Sequence, residues 1–160
     1  MVDAVAISAD SRWVVTGSVD KTARLWDLSA KDPAANPVVL RGHDERITAV
    51  AISPDNRWVV TGSADNTARL WDLSAKDPAA NPIVLRGHEF WVDAVAISPD
   101  NRWVVTGSAD KTARLWLLQE NDLINLARTI VGRNFFADEW QLYFPGEQYR
   151  KTFPDLPGPD

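Results

Sequence analysis

The chain has 160 residues, 45% of them apolar, a net charge of −5 and no cysteine. These values fit one soluble domain with a sizeable core, and they exclude a disulfide framework and thiolate chemistry. Acidic and basic side chains are interspersed, so no basic stripe is available for a phosphate backbone, and nucleic acid is not an expected partner.

No apolar run approaches the roughly 18 residues of a membrane span. Met1-Val2-Asp3-Ala4 lacks the basic and apolar regions of a signal peptide. The expected setting is cytoplasmic, with no membrane partner.

The first element is a 45-residue unit that the chain then repeats. Trp13, Trp58 and Trp103 keep that spacing, as do Trp26, Trp71 and Trp116, and the phrase Thr-Gly-Ser recurs from Thr16, Thr61 and Thr106. Residues 2–46 and 47–91 are identical at 35 of 45 positions without a gap. A unit copied this closely is built to stack on copies of itself, because alone it cannot bury its apolar faces.

Within the second copy, residues 47–53 alternate larger and small apolar side chains, which predicts a strand packed closely on both faces. Pro54-Asp55-Asn56 is turn chemistry. Residues 58–63, rich in β-branched side chains, predict a second strand. Ala64-Asp65-Asn66 makes another tight turn, and residues 67–73 form the third strand. A loop with Pro78 leads to a short fourth strand at 83–85, ended by Gly87. Four short antiparallel strands per 45 residues predict an all-β fold of β-propeller blades; a sandwich needs no such fixed period.

Gly42-His43 and Gly87-His88, the turn aspartates Asp20, Asp65 and Asp110, and Leu25-Trp26-Asp27 and Leu70-Trp71-Asp72 resemble the WD-repeat family of β-propellers. The resemblance covers residues 2–118 as three blades, about 2–46, 47–91 and 92–118. The third has Leu117 where aspartate is expected and no recognisable fourth strand. The resemblance implies a hydrogen-bonded strut of His43, Thr61, Asp65 and Trp71 in the second blade and of His88, Thr106, Asp110 and Trp116 in the third. The first blade holds Thr16, Asp20 and Trp26, but its histidine would precede Met1, so this blade is expected to be looser.

Histidine, a hydroxyl and aspartate in one unit also invite comparison with a hydrolase triad. The arrangement recurs in successive blades, whereas an active site normally occurs once per domain, which favours a strut and no catalytic residue. The two histidines are 45 residues apart with no metal-ligand spacing around them, so neither a metal nor a cofactor is expected. Thr-Gly-Ser lies inside a strand and cannot cradle phosphate as a loop before a helix does. Arg12-Trp13, Arg57-Trp58 and Arg102-Trp103 could stack a base or sugar; their place at a strand start favours arginine lying over apolar surface.

The copies diverge in few places. Asp44-Glu45-Arg46 becomes Glu89-Phe90-Trp91, and the first strands carry Asp3, Thr48 and Asp93. The family resemblance puts these positions, with Val19, Ala64 and Ala109, on the narrow face where partners bind. A constant frame with a varying rim predicts recognition of a protein or peptide. Phe90 and Trp91 are aromatic, as binding hot spots often are. Trp91 equally suits packing into the next blade.

After Leu118 the repeat stops. Residues 122–130 and 137–144 have helical spacing, and residues 151–160 hold four prolines. Gly132-Arg133-Asn134, Glu139-Trp140, Tyr143, Tyr149-Arg150, Thr152 and Pro154 resemble the C-terminal tail of bacterial multidomain WD-repeat proteins, with Phe153 where cysteine is expected. Propellers close with four to eight blades. Three blades therefore predict a homo-oligomeric ring of two or three chains; otherwise the chain is a fragment of a larger signalling protein or a purely structural assembly unit.

Overall fold

A computed structural model describes residues 1–118, which form one compact unit. The helical and proline-rich segments expected after Leu118 lie outside the described residues. Eleven strands occur among them: β1 Val2–Ile7, β2 Trp13–Ser18, β3 Ala23–Asp27, β4 Val38–Leu40, β5 Ile47–Ile52, β6 Trp58–Ser63, β7 Ala68–Asp72, β8 Ile83–Leu85, β9 Val92–Ile97, β10 Trp103–Ser108 and β11 Ala113–Leu117. They build antiparallel sheets in the order β1-β2-β3-β4, β5-β6-β7-β8 and β9-β10-β11. The third sheet has three strands among the described residues.

Local chemistry explains why each sheet is a simple meander. The turn after β5 folds because the Ser53 backbone N–H donates to the Trp58 carbonyl at 2.8 Å, while the Ser53 hydroxyl accepts from the Trp58 N–H at 2.8 Å. Asn56 closes that turn at φ 60°, a left-handed conformation that asparagine tolerates. The next turn places Lys21, Asn66 and Lys111 at φ 68–70°. Thr67 belongs to this turn and not to the strand expected to begin there; its hydroxyl donates to Asp65 at 2.6 Å.

The core lies between sheets. Val15, Ala23, Leu25 and Leu40 of the first sheet pack on Ile47, Val59 and Trp71 of the second. The opposite face of the second sheet, with Val60, Ala68 and Leu70, packs on Val92 and Val104 of the third. Among the described residues, β5 is the one first strand with a neighbouring sheet on each side. The packing on both faces expected from residues 47–53 does not carry over to β1, where Val5 is 65% exposed because none of the described sheets covers it.

Candidate interaction surface and its struts

The loop from β4 to β5 must turn sharply, and Gly42 does so at φ 145°; Gly87 repeats this at 148° before β9. An added Cβ at Gly42 would lie 2.6 Å from the Arg69 guanidinium, whose flexible end would have to shift. Glycine therefore fits both the backbone and the space. The turn delivers His43 onto the following sheet, where it is buried.

His43 Nε2 lies 2.8 Å from Thr61 Oγ1, and Nδ1 lies 2.7 Å from Asp65 Oδ2. Trp71 Nε1 donates to the same threonine oxygen at 3.0 Å. With the imidazole proton on Nδ1, one chain of donors runs from indole to hydroxyl to imidazole to carboxylate, leaving no member unpaired. Asp65 also accepts from the Asp44 backbone N–H at 3.0 Å. The His88 strut has the same geometry: 2.8 Å to Thr106, 2.7 Å to Asp110 and 3.0 Å from Trp116 to Thr106.

The first sheet differs. Trp26 still donates to Thr16, at 3.2 Å, and Asp20 accepts from Thr22 at 2.6 Å. Asp20 meets the Arg24 guanidinium at 3.9 Å on the exposed surface.

The carboxylates respond to these surroundings. Burial opposes ionisation of Asp65, but hydrogen bonds from His43 and Thr67 outweigh it and hold the pKa well below the ordinary aspartate range. For Asp110 the Thr112 hydroxyl contributes most, against burial and with His88, in the same direction. Such groups favour the ionised strut. Thr61 and Thr106 have no exposed surface, and each oxygen already accepts from an indole, so neither can attack a substrate.

Arg46 approaches Asp3 at 4.0 Å and sets its guanidinium 5.1 Å from the centre of the Trp91 ring. Trp91 in turn stacks on Phe90, with centroids 5.5 Å apart and planes inclined by 26°. Four divergent residues thus form one continuous surface, with Phe90 50% and Trp91 40% exposed. Val19, Ala64 and Ala109 hold its floor: their backbone N–H groups donate to the carbonyls of Met1, Arg46 and Trp91 at 3.0, 3.0 and 2.9 Å. Thr48 turns inward and donates to the Val92 carbonyl, and Asp93 stays exposed.

Phe90 and Ala109 also line an open hollow of about 380 Å3 with Glu89, Asp110 and Lys111. Sequence reasoning missed the contribution of the left-handed turn residue. Lys21 donates to the Asp44 carbonyl at 2.6 Å, and Asn66 donates to that of Glu89 at 3.3 Å, so this position braces the neighbouring loop. The signal was present, because lysine, asparagine and lysine alternate there between otherwise matching copies.

The tryptophans at the second-strand starts are covered from outside. Arg12 and Arg57 lie 4.8 and 5.0 Å from the ring centres of Trp13 and Trp58, and bond to Asp27 and Asp72. Hydrogen bonds from Arg12 and Ser29 lower Asp27 to about 2. Among the described residues no acidic or histidine cluster could hold a metal ion. No described helix is long and apolar enough to cross a membrane.

A strut that joins each loop to the next sheet, three matching sheets and the terminal Trp-Asp pairs agree with the match to the family described as WD domain, G-beta repeat, which spans residues 2–27, 36–72 and 81–116. Those stretches cover more than half of the chain, and the protein belongs to the WD-repeat family.

Proposed function

We propose that this chain is a non-catalytic scaffold for protein–protein interaction: a partial WD-repeat propeller that displays one rim to a protein or peptide and completes its ring by self-association. One observation carries the rim reading. The frame is copied nearly unchanged, yet four of the residues that differ between copies meet in one exposed surface running from Asp3 through Arg46 and Trp91 to Phe90. Stacked sheets hold this surface in a fixed shape before a partner arrives, which limits the entropy lost on binding. Phe90 and Trp91 supply apolar contact area, and Arg46 adds charge beside it.

Self-association rests on the two end sheets, where, among the described residues, Val2, Val5, Ile7 and Leu115 are all at least 60% exposed. The cytoplasmic setting belongs to the same reading. So does descent from bacterial multidomain proteins, supported by the resemblance of residues 132–154.

A second reading, that the repeats only bind one another, predicts a different outcome in alanine variants of Arg46, Phe90 and Trp91. Partner capture from the source extract should fall at least tenfold while the oligomer mass stays unchanged. A changed mass with unchanged capture would favour the structural unit and reject the rim.

A further inference from the structure

The two ends of the stack match each other. At each internal junction one sheet offers a face built on valine, glycine, alanine and leucine. The next sheet covers it with the first residue of its first strand. Gly17 marks the first such seat: a Cβ added there would lie 2.5 Å from Ile47 Cγ2. Gly62 marks the second, where it would lie 2.9 Å from Val92 Cγ1. Both glycines are needed because the incoming branched side chain occupies that space.

Gly107 stands at the same place in the third sheet. Among the described residues nothing fills its seat: the nearest of them to an added Cβ is Ala94, whose Cβ lies at an ordinary 3.5 Å. Around it Leu115 is 66% exposed, against 1% and 3% for its counterparts Leu25 and Leu70. Ala113 is exposed as well, whereas Ala23 and Ala68 are buried.

At the other end the face that should cover such a seat is bare. Val2, Val5 and Ile7 are 60, 65 and 64% exposed. Val2 is in register with Ile47 and Val92. The same face carries an apolar hollow of about 330 Å3 beside Val14 and Trp26.

Resting on the self-association reading above, we infer that a second copy of this chain docks head to tail: Val2 of one copy enters the empty seat at Gly107 of the next, and its β1 face covers Leu115. The contact is heterologous, with a β1 face always meeting a β11 face and never its own kind. The reason is the repeat itself. The junction already made twice within the chain is the template for a third, because both of its halves are present and, among the described residues, uncovered.

The absence of cysteine makes the test clean. By the repeat register the two Cβ atoms should lie near the 3.2 Å separating an added Gly17 Cβ from Ile47 Cβ, close to disulfide range. Val2→Cys and Gly107→Cys chains are mixed and oxidised, and the cross-linked species identified by mass. The expected result is a mixed disulfide at least tenfold in excess of either homodimer. In the otherwise unaltered chain Leu115→Asp should weaken association at least tenfold without loss of folded circular dichroism.

Predominant Val2→Cys or Gly107→Cys homodimers, with the wild-type oligomer intact, would overturn the head-to-tail contact and leave self-association standing. A monomeric wild-type chain would overturn self-association too. A monomer whose residue 107 thiol resists labelling would point to residues 119–160 as the cover, and would also overturn the proposal. Unchanged association in Leu115→Asp would show that Gly107 is only copied along with its repeat.

Discussion

The middle sheet and the two beside it are nearly the same sequence, yet among the described residues only the middle one is enclosed. Leu70 is buried where Leu115 is open, and Ile47 is buried where Val2 is open. The difference lies in neighbours and not in side chains. In a stacked repeat, burial belongs to the junction between units, so the energetic worth of one residue type changes with its place in the array.

This comparison gives the largest expected effect. Leu70→Ala leaves a hole in a closed junction and should lower stability by about 2–5 kcal/mol. Leu115→Ala, measured by urea unfolding at a concentration where the chain is monomeric, should cost under about 0.5 kcal/mol. Equal losses would break the contrast.

Glycine sharpens it next. Gly62→Ala forces Val92 aside and should cost about 1–3 kcal/mol, the usual range for overpacking. Gly107→Ala meets only ordinary contact and should leave the monomer's melting temperature unchanged.

The struts separate the first sheet from the second. Asp65→Asn disturbs a network with a buried histidine and should cost about 1–3 kcal/mol, whereas Asp20→Asn, beside the exposed Arg24, should cost less than half of that. The pH dependence follows from the sign of the shift. Asp65 and Asp110 ionise below their ordinary value of 3.8 in the folded chain, so the unfolded chain binds more protons as pH falls. Their stabilisation is complete above about pH 4 and is lost progressively as pH falls from 3.8 toward the lower folded values. In His43→Ala the acid limb of the unfolding curve should flatten; an unaltered limb would mean that the histidine does not depress Asp65.

The smallest effect belongs to the exposed pairs. Arg57→Ala should cost at most about 1 kcal/mol, mostly through lost cover over Trp58, because a surface ion pair contributes little.

The sheets and turns were legible because the 45-residue period aligned three versions of each turn, and Asp-Asn and Thr-Gly-Ser carry strong local preferences. The start of β7 was less so. Thr67 has a strand-like side chain, but its hydroxyl is committed to the turn carboxylate. The rim could be read only as a set of differing positions. That Arg46 covers Trp91, while Thr48 turns inward to Val92, depends on which strand lies beside which loop, and no single repeat encodes that. The bare ends could be counted from the sequence, but not the empty seat at Gly107. It is visible only beside Gly17 and Gly62, whose seats are filled.

The most direct test of the claim that these ends are covered by further copies is the mass of the wild-type chain in solution. Sedimentation equilibrium over a range of concentrations should show a discrete multiple of 17.8 kDa, the mass of one chain. A single species at 17.8 kDa throughout the micromolar range would contradict it.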